Sequence, residues 1–386
     1  MNRTSLPILF FAGLLALLVA FLTLRDAPRN PSTNESTTAI LPHFILGVDI
    51  SYLQEDELAG ATYFDDGIPR DIFDILQSHG INALRIRLFV DPRSPIGYAR
   101  NMPEAFGDLP HALALARRAK AHNMAILIDL MYGDSWTSPE GAPKPAAWVD
   151  LHDDDLILAV RLYTRSVLHA FNQQGTPPAM VQVGNEITHG MLWPDGRIAS
   201  KLSSGNADTD ARMAAAHLEG LGHYDQLAAL LKAAIAEVRA ANPDAQVILH
   251  NSLGRNWDRV EEWTDNLLSR GVDFDVIGLS CYHQNADGDW KNTFDNIIKK
   301  YPDKEIVVLE YSPEKRFLND LVHDLPVGRG LGTFIWEPLH YRQAIFDQAG
   351  VNAGAEDPAT FHINRAGRFD ANNFLRLYDQ MAKDYK

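Results

Sequence analysis

Two short apolar runs, Val181-Gln-Val-Gly and Ile306-Val-Val-Leu, each lead to a glutamate: Glu186 directly after Asn185, and Glu310 directly before Tyr311. A carboxyl group at the end of a strand that reads as buried is costly to desolvate and needs a reason. Other apolar runs end the same way, in Asp49, in Arg85 and Arg87, in Asp129, in Tyr282 and in Trp336-Glu337. Taken singly, each of these is as well explained by a structural ion pair or a capping group. Taken together they describe a site. A pair of carboxyl groups facing each other is the equipment of glycoside hydrolysis, in which one protonates the leaving oxygen while the other attacks the anomeric carbon or activates water. A separation of about 5–5.5 Å favours retention and a wider one inversion.

Positioning such residues requires an array of parallel strands, and the chain supplies one. Short β-rich apolar runs alternate with amphipathic stretches whose apolar residues recur at three and four. The runs are Phe44–Ser51, Ala83–Phe89, Ala125–Tyr132, Met180–Glu186, Gln246–Ser252, Val276–Tyr282, Glu305–Ser312 and Gly332–Pro338. Helical patterns cover Pro69–His79, Leu109–Asn123, Leu151–Gln173, His223–Ala241 and Phe369–Lys383, and Gly80, Asn242-Pro243 and Gly271 punctuate their ends. Eight strands with intervening helices predict a single (β/α)₈ TIM barrel, an α/β fold whose active sites lie at the carboxyl ends of the strands. An open doubly wound sheet is the alternative, but the first strand lacks a Gly-rich phosphate loop. Period-two alternation turns both Arg85 and Arg87 inward.

Around this core the sequence bounds the rest. With 386 residues, 46% hydrophobic and 22% charged, the chain can bury a large core. A formal net charge of −15 argues against nucleic acid or anionic lipid as partner. Cys281 is the one cysteine, so neither an intrachain disulfide nor a thiolate metal site can form. His189, His250, His283 and His340 match no metal-ligand spacing, and neither a metal nor a cofactor is expected. The uncharged run from Leu6 to Leu24 follows Arg3 and reads as a signal peptide or membrane anchor, residues 1–24. A linker, residues 25–42, and one catalytic domain, residues 43–386, follow. The expectation is an exported monomer, secreted, periplasmic or held at the membrane by the apolar segment.

The motifs also carry a resemblance. They are Gly47-Val-Asp-Ile-Ser51, Arg85-Ile-Arg87, Asp129-Leu-Met-Tyr-Gly-Asp-Ser-Trp136, Lys144-Pro-Ala-Ala-Trp148, Val181-Gln-Val-Gly-Asn-Glu-Ile187, Gly190-Met-Leu-Trp-Pro194, Gly278-Leu-Ser-Cys-Tyr282 and Trp336-Glu-Pro338. From residue 44 to 385 the chain resembles the clan A glycoside hydrolases, and within them family 53, the endo-β-1,4-galactanases. The resemblance implies Glu186 as general acid/base and Glu310 as nucleophile. Like-charge repulsion from Glu310 would then keep Glu186 protonated. Arg85 or Arg87 would orient Glu310, with Tyr282 donating to it, and Asn185 would reach the sugar 2-hydroxyl. Trp136, Trp193 and Trp336 would stack on sugar rings, with Asp49, Asp129 and Asp134 in support. Core packing is the reading for Trp148, Trp257 and Trp263, and a buried arginine partner for Glu337. The implied substrate is galactan or arabinogalactan. Met131, Cys281-Tyr282-His283 and Leu339-His340-Tyr341 depart from the family pattern, the loop after Ser312 is short, and no calcium loop can be placed. These departures leave another β-linked plant polysaccharide as the alternative substrate. A non-catalytic carbohydrate-binding barrel is the rival from another class, which loss of either glutamate would signal; both are present.

Overall fold

A computed structural model describes residues 41–200, 202, 207–208, 211, 224–283, 287–349 and 365–386. All eight expected strands are present: β1 Ile45–Asp49, β2 Ala83–Leu88, β3 Ala125–Leu130, β4 Met180–Val183, β5 Gln246–Asn251, β6 Val276–Ser280, β7 Glu305–Tyr311 and β8 Gly330–Trp336. Each pairs in parallel with its neighbours in chain order, and β1 pairs with β2 on one side and β8 on the other, which closes the barrel. The observed strands stop short of the apolar runs at their carboxyl ends, because the polar residues there turn out of the ladder to line the mouth.

The barrel interior is filled, not hollow. Ile45, Leu127, Met180, Ile248, Val276, Val307, Leu309 and Phe334 form its packed cluster. Two glycines make that packing possible. A Cβ on Gly47 would lie 2.3 Å from the Phe334 ring, and one on Gly278 2.4 Å from Leu309, well inside van der Waals contact. The opposite face of every strand packs on the surrounding helices, in a second and larger apolar cluster that includes Trp148 and Trp263.

Between the strands lie helices at Ile72–Ser78, Leu109–Ala121, Asp153–Gln174, Tyr224–Ala241, Trp257–Leu268, Trp290–Lys300 and Lys315–His323, and Asn373–Asp384 follows β8. Two expected helices start late. Ile68–Pro69 and Gly367–Ala371 are strands of a separate small sheet, ordered 346–348, 367–371, 61–65, 68–69. The Asp66-Gly67 turn, with φ of 49° and 76° at its two residues, is the Asp-Gly pair that favours a tight hairpin. Asp71 and Asn372 then cap the true helix starts by accepting from the amides of Phe73 and Phe374. Residues 1–24 and nearly all of the linker lie outside the described residues. Among the described residues, no helix is long and apolar enough to cross a membrane.

Candidate active site

Arg85 is the hub of the mouth. Its side chain is 1% exposed and all three guanidinium nitrogens are engaged. Nε donates to Gln182 at 3.0 Å, Nη1 to Asp49 at 2.9 Å and Glu310 at 3.0 Å, and Nη2 to Asp129 and Asn185 at 2.9 Å each. Strands β1, β2, β3, β4 and β7 are thus tied together through one planar cation, a task that suits the fixed fork of arginine.

The aim of Glu310 depends on a bulge. Val307 and Leu309 face the barrel interior, while Ile306, Val308 and Tyr311 pack on the helix side, so strict alternation would send Glu310 outward. Instead the register of β7 shifts by one residue against both β6 and β8. That extra residue returns Glu310 to the inside, the usual work of a bulge beside an active site. Its carboxylate accepts from Arg85 and, at 3.4 Å, from the Tyr282 hydroxyl. Of the two arginines expected to orient Glu310, Arg85 is therefore the one that touches it.

Glu186 leaves β4 through two left-handed residues, Gly184 at φ 83° and Glu186 itself at φ 45°. A glutamate in that region costs about 1–2 kcal/mol. The Glu186 amide is turned by it onto His250 Nδ1 at 3.2 Å, and Glu186 Oε1 accepts from Ser280 Oγ at 2.7 Å.

Four carboxyl groups here, those of Asp129, Glu186, Glu310 and Glu337, are held above their ordinary values. Burial first, and the charge of Glu310 second, push Glu186 up to about 8. Burial outweighs the pull of Arg85 and lifts Asp129 to about 7. Glu337 is raised well above the carboxylate range by burial, against the pull of Arg87. Burial also raises Glu310, opposed by the charge and hydrogen bond of Arg85. Repulsion from Glu310 is thus real at Glu186 but smaller than desolvation, a change of emphasis from the sequence reading.

Arg87, 3% exposed, is handled differently. Its guanidinium carbon lies 3.9 Å from the Trp136 ring centroid and 4.6 Å from that of Tyr52, and its nearest carboxylate is Glu337 at 3.6 Å. From Trp136 an aromatic band runs edge-to-face to Trp336 at 6.5 Å, on to Tyr341 at 4.7 Å, and from there to Tyr282 at 5.9 Å. Trp136, Trp336 and Tyr341 are half-buried. Trp193, also half-buried, sits on the hairpin after β4, with its indole N–H on the His189 carbonyl and Arg197 over its ring at 4.6 Å. Among the described residues, it makes no ring contact with the band. Asp134 is a loop pin, accepting from the Asp91 and Ala146 amides. Asn185 donates to the Thr137 carbonyl at 2.8 Å.

Gln182, Ser280, Tyr52 and Tyr98 also belong to the mouth and are not singled out from sequence, while His250, considered there only as a metal ligand or a hydrogen-bonding group, joins them. Parity along β4, β5 and β6 could have found Gln182, His250 and Ser280, since they share faces with Met180, Ile248 and Val276. Among the described residues, no three His, Cys, Asp or Glu side chains are grouped to hold a metal.

The sequence profile of glycosyl hydrolase family 53 matches residues 45–320. The chain belongs to that family. Family membership makes its reaction the hydrolysis of glycosidic bonds. Among family relatives, a Niallia circulans protein described as an uncharacterized protein in the bgaB 5′ region is 32% identical over 76% of this chain and 83% of its own length. The arabinogalactan endo-β-1,4-galactanase A of Aspergillus niger is 28% identical over 81% of this chain and 88% of its own. The family 53 catalytic domain of Ignisphaera aggregans superposes with a TM-score of 0.66 at 28% identity, covering 92% of this chain and 99% of that one.

Proposed function

We propose that the chain is a retaining, endo-acting β-1,4-galactanase in which Glu310 is the nucleophile and Glu186 the general acid/base. The observation that carries the reading is the asymmetry of the pair. Glu310 accepts from a guanidinium and a phenol, both of which favour a charged, oriented carboxylate. Glu186 is raised to about 8, which leaves it a proton to give at neutral pH.

In the first half-reaction a Glu310 oxygen bonds to the anomeric carbon as the glycosidic C–O bond breaks, and Glu186 delivers its proton to the departing oxygen. In the second, Glu186 takes a proton from water as that water attacks the anomeric carbon and the ester to Glu310 breaks. Asn185 has one amide hydrogen committed to Thr137 and a second for the sugar 2-hydroxyl. The band of Trp136, Trp336 and Tyr341 presents flat apolar faces for pyranose rings. Asp49 and Asp129 hold Arg85 by accepting from its guanidinium, and Asp134 pins the loops of the wall. Galactan or arabinogalactan as substrate rests on the name of the Aspergillus niger relative. Export of the protein rests on the apolar run Leu6–Leu24 after Arg3.

The test is reducing-sugar release by the full chain from galactan, arabinogalactan, xylan, mannan and β-glucan, beside Glu310→Gln. Release from the two galactan substrates that drops by at least ~10³-fold in the variant is expected. Hydrolysis confined to mannan or xylan would overturn the substrate. An active Glu310→Gln would overturn the nucleophile.

A further inference from the structure

Burial, the larger cause of the raised Glu186, does not lapse when Glu310 becomes an ester. Something else must favour the carboxylate form of Glu186 in the second half-reaction, and two inward residues beside it have the geometry to do so. His250 on β5 and Ser280 on β6 are 0% and 1% exposed. His250 Nδ1 lies 3.2 Å from the Glu186 amide nitrogen and 3.2 Å from Gln182 Nε2. A backbone N–H can only donate, so Nδ1 is the bare lone pair and the ring proton sits on Nε2. Asn185 Oδ1 is 3.1 Å from the same nitrogen but already accepts from Arg85 and Gln182, and so has no need of an imidazole proton. Nε2–H then donates to Ser280 Oγ at 2.8 Å, and the Ser280 hydroxyl donates to Glu186 Oε1 at 2.7 Å. Burial and the nearby Arg85 charge hold the imidazole neutral, which removes the alternative in which both ring nitrogens donate.

We propose that Ser280, polarised in one direction by neutral His250, is a positioning residue for Glu186: it keeps Oε1 a permanent acceptor, confines the acid proton to Oε2, and stabilises the carboxylate when Glu186 serves as base. The inference rests on the reading of Glu186 as acid/base. The groups that bear on Glu186 are Glu310 from β7, Ser280 from β6, Glu140 from the loop after β3 and Arg85 from β2. Only Ser280 among them can be removed without changing the charge of the site.

The experiment is a carbon-13 carboxyl titration of the full chain carrying labelled glutamate, with Glu186 assigned by comparison with Glu186→Gln. In Ser280→Ala the Glu186 midpoint rises by about one unit, because a donor to the charged form is lost. Ser280→Thr keeps the parental midpoint, and Ser280→Cys, a weak donor of similar size, falls between. The alkaline limb of kcat/KM moves up in step, and kcat falls about tenfold, the rate equivalent of one such unit. A residue that only fills space would lower activity without moving the midpoint. An unmoved midpoint in both Ser280→Ala and Ser280→Cys overturns the proposal, whatever the activity. A moved midpoint in a protein that releases no sugar from galactan supports the relay and overturns the substrate reading instead.

Discussion

Arg85 and Arg87 stand two residues apart on one strand, face the same way and are equally buried, yet they do different work. Arg85 makes five hydrogen bonds, to side chains of β1, β3, β4 and β7 and to Asn185, two residues after β4. Arg87 has Nε and Nη1 without a hydrogen-bond partner among the described residues and lies over the rings of both Trp136 and Tyr52. One guanidinium is read through its edge and the other through its face. The difference follows from depth. Arg85 reaches the acids and amides of the neighbouring strands, whereas Arg87, one step nearer the mouth, meets the aromatic side chains of Tyr52 and Trp136 that the loops bring over it. Edge contacts fix the position of the Glu310 carboxylate, and face contacts brace the aromatic band; on the proposed function these are the nucleophile and the surface for sugar rings. The consequence is that the two arginines should fail differently when altered.

The largest effect is expected at Arg85. Arg85→Lys keeps the charge but replaces the fork with a point charge, so Glu310 loses its orientation and several buried acceptors lose their donors. A fall in kcat/KM on the order of 10³-fold, with a stability loss of about 3–5 kcal/mol in denaturant, is the expected result. Near-parental kinetics would show that the hydrogen bonds of Arg85 do not position Glu310 for the reaction. Arg87→Met removes the charge at similar volume. It should cost about 1–2 kcal/mol of support to Trp136, seen as a KM raised roughly tenfold with kcat changed only a few-fold. A loss of kcat as deep as that of Arg85→Lys would erase the distinction between edge and face.

The smallest change concerns the surplus of carboxyl groups around Arg85. Asp129 is raised from 3.8 to about 7 in the fold, so the folded state holds a proton that the unfolded state has lost. Stability from this group is fully present below pH 3.8 and declines as pH rises through about 7. Asp129→Asn cannot lose that proton. Denaturation midpoints measured from pH 4 to 8 should therefore fall less steeply in the variant than in the parent, and parallel curves would place the proton elsewhere in the cluster.

Much of this site was legible before folding was considered. All eight strands, the inward pair of arginines and the place of Glu337 beside an arginine follow from apolar runs, period-two parity and the cost of burying charge, and the two glutamates from their positions at the ends of the fourth and seventh runs. The late helix starts were misread because amphipathic periodicity ran on through Ile68–Pro69 and Phe369–Ala371, although Asp66-Gly67 announces a turn. Trp193, expected to stack on sugar with Trp136 and Trp336, lies apart from the ring contacts that join those two, with Arg197 over its ring and its indole N–H on the His189 carbonyl.

What the sequence alone determined is which residues cluster at the strand ends, since alternation and hydrophobicity are local properties that any closed parallel barrel converts into one face. What only the tertiary structure decided is which of them touch. The bulge in β7 reverses the parity of Glu310, and no local pattern announces it, because an extra residue is visible only against the register of neighbouring strands. The choice of Arg85 over Arg87 as partner of Glu310, and the alignment of His250 with Ser280 and Glu186, depend likewise on strand stagger around the barrel, a relation among segments far apart in the chain.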